Sequence, residues 1–330
     1  MSNVEYRKLQ ETKSGSYLVS LPKGWVTRMG LRGGATIMLM EESDGSIIIK
    51  SGSVEEVEKP NVAVVELDEN VGREILGKYL IGADIIHIKA PRRITLEQRE
   101  KIKNTLTALV GTEIIEEKSN EIIVQCLLSP LAIPIKTLLR RAHILALQMH
   151  IDAITAFRDK DEDLAQSVVK RDDDLNRLYF LIVRQLRAIV QNPRLSEKAG
   201  ISLVECLDYR LVARALESNG DQAVTIAKSA MALKPYEAPG DVIEGLLNLS
   251  DIVRKIQEEA LTALFKLDTK HAENYVKREL GSKAQSLMEQ LNQRILEQPS
   301  TMAFYLNEIA NSLRRIKENC IDIADLVVKP

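Results

Sequence analysis

Cysteine, aromatic residues and long hydrophobic runs are all scarce in this chain of 330 residues. Its three cysteines, Cys126, Cys206 and Cys320, lie far apart, so they predict neither a disulfide framework nor a CxxC metal knuckle. No stretch of about 18 uninterrupted apolar residues occurs, and the first ten residues lack the apolar core of a signal peptide. We therefore expect a protein of the reducing cytoplasm that does not insert into a membrane.

An excess of charge is also missing, because 45 Lys and Arg stand against 47 Asp and Glu and leave a net charge of −2. Any contact with nucleic acid must therefore come from a local basic patch. Aromatic residues make up only 4% of the chain, which is typical of helical bundles built on aliphatic side chains. The sequence has no Ser-His-Asp pattern, no nucleophile elbow and no Gly-rich phosphate loop, so we expect no enzymatic activity.

Residues 1–52 alternate short β-type runs with turn residues, and Pro22–Gly30 predicts one short helix between them. So short a unit with few apolar residues buries little surface. We therefore expect it to take part of its core from a second copy, in a homodimer. The turns are predicted at Ser14-Gly15, Gly33-Gly34 and Asp44-Gly45.

Residues 1–34 carry six basic residues against two acidic ones, Glu5 and Glu11, a local excess of 6−2=+4. Such an excess suits DNA phosphates, and a symmetric dimer would double it and place two copies along a duplex. A role in solubility alone explains the same composition. The candidate DNA-binding residues are Arg7, Lys8, Lys13, Lys23, Arg28 and Arg32.

Residues 60–129 alternate strand and helix patterns, which predicts a small α/β domain. Its strands are continuous Val and Ile runs rather than clean alternations, so we expect a sheet buried on both faces. The pattern gives no indication of the role of this domain.

From Leu131 onward the hydrophobic period is helical, and the breaks divide this region into six helices. The region also repeats itself, because Ala153–Ala156 recurs as Ala260–Ala263 at a displacement of 107 residues. We expect two tandem three-helix bundles, residues 131–234 and 240–330. The breaks lie near Arg158-Asp159, Asn192-Pro193, Pro235–Pro239, Lys266–Asp268 and Gln298-Pro299.

Polar residues interrupt the apolar pattern of two neighbouring helices in the first bundle. Oxygen ligands of this kind suit a hard or borderline cation, divalent or ferric. A solvated charge ladder is the alternative, because Arg210 and Arg214 follow the same helix face and would neutralise the acids. The candidate metal ligands are Asp172, Asn176, Glu217 and Asp221.

The corresponding positions of the second bundle pair opposite charges four residues apart, Glu279 with Lys283 and Arg314 with Glu318. A cation site there is expected to be absent or degenerate.

Two histidines, His143 and His150, lie seven residues apart on one face of the first helix of this region. No local carboxylate or cysteine completes a zinc ligand set, so surface or core positions are expected for them. Cys206 and Cys320 lie in apolar helical patterns, which is typical of small core residues.

Residues Gly15–Lys23, Met29–Ala35 and Asp44–Ile49 resemble the AbrB-type swapped-hairpin domain. That family has a strand ending in a Pro-Lys step, a short helix, a Leu-x-x-Gly turn and a closing hairpin. The resemblance implies an intertwined dimeric β-barrel that grips DNA through basic side chains.

The two predicted bundles resemble the PhoU family of phosphate-uptake regulators over about two hundred residues. The acidic signature of that family, a carboxylate followed four residues later by Asp, is matched by Glu217–Asp221 and the trailing Ala223–Ala227. Asn176 and Lys283, together with Arg314 and Glu318 of the second bundle, depart from the metal clusters of that family. The order of the two parts resembles archaeal PhoU-like regulators with their own DNA-binding domain.

These resemblances imply a dimeric regulator that binds operator DNA and controls phosphate uptake, with the helical part as a sensing or partner-binding module. The alternative is an adaptor that docks on a phosphate transporter ATPase or a sensor kinase without contacting DNA. Metal storage or buffering is a third hypothesis.

Overall fold

The computed structural model describes residues 4–41, 45–51 and 60–328. The chain divides into two compact units, residues 1–60 and 61–330. The predicted turn residue Asp44 and the predicted end of the first domain at residue 52 lie outside the described residues. The division into four domains stays a prediction.

The described residues of the first unit form four short strands and one helix in the predicted order. Strands β1 and β2 pair antiparallel, as do β3 and β4. The turn glycines Gly15, Gly34 and Gly45 and the helix-ending Gly30 have positive φ angles, which glycine adopts without strain. The elements are β1 (Gln10–Glu11), β2 (Tyr17–Leu18), α1 (Lys23–Arg28), β3 (Ile37–Glu41) and β4 (Ile47–Ser51).

None of the side chains described in residues 4–51 is buried. Large apolar residues are instead exposed, among them Tyr6, Leu9, Tyr17, Leu39 and Ile47. The strands form two separate two-stranded sheets, and a pair of strands is marginal in water without a partner surface. A closed barrel is not formed by the described residues of one chain and stays a prediction.

The second unit begins with an α/β layer whose strand order is β5-β6-β8-β7. Strands β5 and β6 are parallel, and the other neighbours are antiparallel. Helices α2 and α3 cover one face of the sheet and form a core with it. The elements are β5 (Val62–Glu66), α2 (Val71–Leu80), β6 (Ile85–Lys89), α3 (Leu96–Thr107), β7 (Thr112–Glu117) and β8 (Glu121–Cys126).

The expectation that this sheet is buried on both faces is wrong. Val65, Ile86 and Val124 point into the core beneath the helices, whereas Val62 and Val64 are 52% and 48% exposed. Continuous Val and Ile runs also occur in strands that leave one face open, so the run alone did not decide the burial.

Between residues 127 and 328, six long helices, one short helix and one π-type segment follow the α/β layer, and every predicted break separates two of these helical segments. A segment of wide, π-type turns, His271–Gly281, runs directly into α9. The short helix α6 follows the predicted break at Asn192-Pro193. The helices are α4 (Ile135–Asp159), α5 (Glu162–Gln191), α6 (Pro193–Ala199), α7 (Leu203–Leu233), α8 (Gly240–Lys266), α9 (Ser282–Leu296) and α10 (Ser300–Asp325).

Helices α4, α5 and α7 pack as one three-helix group, and α8, α9 and α10 pack as another. The groups share one continuous hydrophobic core, because α7 also packs on α10 and α4 on α8. A buried histidine lies at the second contact. His150 Nδ1 is 2.6 Å from Gln257 Oε1, and Ser250 Oγ is 2.9 Å from His150 Nε2.

The α/β layer is attached to the first helical group through Arg184 on α5, which is 4% exposed. Its guanidinium donates to the backbone oxygens of Tyr79 at 2.6 Å and Ala83 at 3.0 Å, and it lies 4.8 Å from the centre of the Tyr79 ring. These oxygens lie at the carboxyl end of α2, where a cation is favourable. Among the described residues, no helix is long and apolar enough to span a membrane.

Candidate functional site

The four candidate metal ligands lie on two helices that pack closely. Gly220, inside the acidic signature on α7, packs closely on α5, because a Cβ at this position would overlap the end of the Leu175 side chain and force it to shift. Helix α5 supplies Asp172 and Asn176, whose Nδ2 donates to Asp172 Oδ2 at 3.1 Å. The close approach therefore places these residues near the carboxylates of α7, as the sequence predicts.

Burial is the main reason that the three carboxylates of this cluster ionise less readily, and the charge of Asp221 adds to this effect at the other two. Burial raises the pKa of Asp172, and the charge of Asp221 raises it further. Burial and then Asp221 raise the pKa of Glu217, while Arg214 opposes that change. Burial also raises the pKa of Asp221. The cluster is therefore short of positive charge.

The proposed charge ladder is only half present. Arg214 pairs with Glu217, but the guanidinium of Arg210 lies over the Tyr179 ring, 5.0 Å from its centre. Within the part of the chain that the structure describes, Asp172 Oδ1 is buried and has no hydrogen-bond partner, which is costly for a carboxylate oxygen. Among the described residues, Arg214 is thus paired with one of the three acids, and the charge of Lys228 acts on Asp172 more weakly than burial does.

The chemistry of these oxygen donors suits a hard cation, but their placement does not close a site. Within residues 4–41, 45–51 and 60–328, no group of three His, Cys, Asp or Glu side chains is arranged to hold a metal ion. The metal assignment to Asp172, Asn176, Glu217 and Asp221 stays a prediction.

The second helical group carries an ion pair at the corresponding place. Arg314 Nη1 donates to both oxygens of Glu318, at 2.9 and 3.1 Å. A cation there would compete with an arginine that already neutralises the carboxylate.

The histidines and helical cysteines lie in the core. Burial lowers the pKa of both His143 and His150 to about 4. His150 is fully buried, and both of its ring nitrogens have hydrogen-bond partners. Cys206 is buried, and burial raises the pKa of the Cys320 thiol to about 12. These are the properties of structural residues rather than of zinc ligands or nucleophiles.

The six candidate DNA-binding residues are all exposed in the first unit. Lys23 and Arg28 begin and end α1, and Lys13 lies in the turn between β1 and β2. Arg7 is paired with Glu5. Lys8 and Arg32 lie in the irregular segments before β1 and after α1. The assignment to DNA stays a prediction.

The sequence analysis missed an apolar stripe on the exposed side of α7. Val204, Leu207 and Leu211 are 68%, 65% and 58% exposed, and their spacing of three and four residues places them on one helix face. A capping box between Ser202 and Glu205 sets the start of this helix. We call the three apolar residues the α7 stripe.

The α7 stripe leads into a groove of about 370 Å³ between α7 and α10. Leu211, Ala215 and Ser218 line its α7 side, and Asp322 and Asp325 lie on the α10 side. The sequence pattern could have revealed the α7 stripe, because its three aliphatic residues have helical spacing. They lie on a different face of α7 from the apolar residues that pack into the core.

Residues 139–230, which run from α4 into α7, match the PhoU domain family. Two relatives are each described as a phosphate-specific transport system accessory protein PhoU homolog. The Pseudomonas aeruginosa protein is 27% identical over 198 residues, which cover 57% of this chain and 80% of the relative. The Pseudomonas putida protein is 26% identical over 198 residues, which cover 57% of this chain and 76% of the relative.

Two crystal structures share the helical fold. PhoU from Pseudomonas aeruginosa superposes with a TM-score of 0.51 at 23% identity, over 58% of this chain and 93% of that protein. The phosphate transport system regulatory protein PhoU from Streptococcus pneumoniae gives a TM-score of 0.52 at 17% identity, over 59% and 91%. The helical part of this chain is therefore PhoU-like in sequence and in its helical-bundle fold.

Proposed function

We propose that this chain is a regulatory accessory protein of phosphate transport that acts by docking on a protein of the transport system through the α7 stripe. The description of the two relatives supports the process, and the exposed stripe supports docking. Three aliphatic side chains at helical spacing, more than half exposed, are the observation that carries the proposal.

The stripe suits an amphipathic helix of the partner. Burying a side chain of this size contributes about 1.5–3 kcal/mol when it is removed fully from water. A helix laid along α7 would cover Val204, Leu207 and Leu211 with apolar residues at matching spacing. In the groove beyond, Asp325 is already paired with Lys277, whereas Asp322 has no such ion pair among the described residues. The complementary helix therefore has apolar residues at positions i, i+3 and i+7 and one lysine or arginine at the end that reaches Asp322.

The partner that fits this role is the ATPase of a phosphate transporter or a sensor kinase. The experiment is co-purification of the full chain with the transporter ATPase and the phosphate sensor kinase of its own organism, each tested separately. Leu207→Lys places a charge in the middle of the stripe and should reduce binding at least tenfold. Ile144→Lys is the matched control, because Ile144 is an exposed aliphatic residue on α4, 57% exposed, outside the stripe.

Equal binding by the two variants would remove the α7 stripe from the proposal. Absence of binding to either partner by the unchanged protein would remove the docking function itself. Circular dichroism of both variants checks that the helical content is kept.

DNA binding by a dimer of the first unit is a second candidate function. The supporting observation is that its described residues bury no side chain, while apolar residues such as Tyr6 and Leu9 are exposed beside lysines and arginines. A second copy would cover the apolar residues and double the basic ones. Two such units would contact phosphates on successive turns of a duplex.

Fluorescence anisotropy of the full chain with duplex DNA, at increasing salt, tests this second function. Lys13→Ala/Lys23→Ala should weaken binding and reduce the slope of affinity against salt, because two phosphate contacts are lost. Lys136→Ala/Lys255→Ala removes two exposed lysines of the helical part and should leave both unchanged. Binding that is equally weak for all three proteins would exclude a DNA role for the first unit.

A further inference from the structure

Strand β5 forms one edge of the α/β sheet, and half of its backbone groups point away from the sheet. Leu67 N–H donates to Lys89 O, and Ile85 N–H donates to Asn61 O, so the odd-numbered residues of this strand face β6. Because the period of a strand is two, Val62, Val64 and Glu66 direct their N–H and C=O groups outward.

Those outward groups have no backbone partner among the described residues. Val62 and Val64 are also about half exposed on the open face of the sheet. An edge of this kind is a template for another strand, and proteins usually block it with lysine, proline or a bulge within the strand. The strand Val62–Glu66 contains none of these and has a single charge at its end.

The opposite edge of the same sheet is blocked. Strand β7 has an irregular register between Ile114 and Glu116, and it carries Glu113, Glu116 and Glu117. Pairing two copies of β7 would bring carboxylates together, and the bulge would interrupt the hydrogen bonds. The two edges therefore differ, and only β5 is suited to receive another strand.

We propose that β5 pairs antiparallel with β5 of a second copy of this chain, about a two-fold axis at Val64. In this register Val64 lies opposite the partner's Val64, and Val62 lies opposite the partner's Glu66. Each opposed pair exchanges two backbone hydrogen bonds. All outward N–H and C=O groups of the three residues are then satisfied in both copies.

Charge and shape favour a second copy as the occupant. No two carboxylates face each other in this register, because each Glu66 lies opposite a valine. The two sheets join into one sheet of eight strands. Its open face then continues across the axis through Val62 and Val64, which lie beside Ile85 and His87 of β6. A closed two-fold pair also leaves no free β5 edge for further growth.

Cysteine cross-linking of the full chain tests this register. The variants carry Cys126→Ser to remove the one native cysteine that is not buried. Opposed residues at such a pair lie about 5.5 Å apart between Cα atoms, within the range of a disulfide. Val64→Cys should therefore form a covalent dimer with oxidised glutathione. Glu66→Cys is the matched control, because the two copies of residue 66 would be about 14 Å apart.

A mixture of Val62→Cys and Glu66→Cys proteins should give the mixed covalent dimer, because these positions face each other. The expected result is a dimer band on a non-reducing gel for Val64→Cys and for the mixture, with little for Glu66→Cys alone. No dimer from Val64→Cys would overturn the proposal, as would equal cross-linking of the control. A dimer held only through the first unit gives no cross-link at residue 64, so this outcome is independent of DNA binding.

Discussion

The buried histidine between α4 and α8 should make the stability of the helical part depend on pH. Burial lowers the pKa of His150 from its ordinary value of 6.5 to about 4. The unfolded chain therefore protonates His150 at a higher pH than the folded chain does. The contribution of the neutral, buried His150 to the free energy of unfolding is complete above pH 6.5 and is lost as the pH falls towards 4. At 1.36 kcal/mol per pH unit, the loss is about 3 kcal/mol.

Urea unfolding at pH 7, 5.5 and 4.5 measures this contribution. Between pH 7 and pH 4.5, the free energy of unfolding of the unchanged protein should fall by about 2 kcal/mol more than that of His150→Gln, which has no titrating ring. Ser250→Ala removes one hydrogen bond of the ring but keeps the histidine, so it should retain the full pH dependence. Parallel pH profiles for the unchanged protein and His150→Gln would refute the assignment.

Three further substitutions test other parts of the structure by thermal or urea unfolding. Asp172→Asn should raise the free energy of unfolding at pH 7.5. The raised pKa of Asp172 means that its ionised form is disfavoured in the folded state, and this cost appears as the pH rises through that pKa. Unchanged stability of the variant would contradict this. Gly220→Ala should destabilise by about 1–3 kcal/mol through overlap with Leu175, whereas Gly240→Ala, where a Cβ meets nothing within 4 Å, should cost nothing. Arg184→Leu should cost about 3 kcal/mol, because two hydrogen bonds from a charged donor are lost; a loss below 1 kcal/mol would show that the α/β layer does not depend on this residue.

The sequence predicted the helical region well, because long amphipathic helices have a strong period and clear breaks. Pro193, Pro239 and Pro299 each lie where one helix ends and the next begins. The sequence gives no clear indication of strand β7, because the acidic run Thr112–Glu117 has little apolar periodicity and is paired on one side only. Its position in the sheet depends on pairing with β8, a tertiary contact that the local sequence pattern does not show.

The candidate site was predicted in part. Spacing alone placed Asp172 and Asp221 on neighbouring helices, and the structure brings them close enough to affect each other. The charge ladder, left open as the alternative to a metal site, does not include Arg210, because this arginine lies over the Tyr179 ring of another helix. The contacts of Arg184 and His150 join residues about one hundred positions apart, so no local pattern could reveal them.

The most direct test of the proposed function is the uptake of radiolabelled phosphate by cells of the source organism that lack this gene. We expect uptake to lose its normal response to external phosphate in these cells. The unchanged gene and Ile144→Lys should restore that response, and Leu207→Lys should not. A normal uptake response in the cells without the gene would contradict a role in phosphate transport, whatever surface the protein uses.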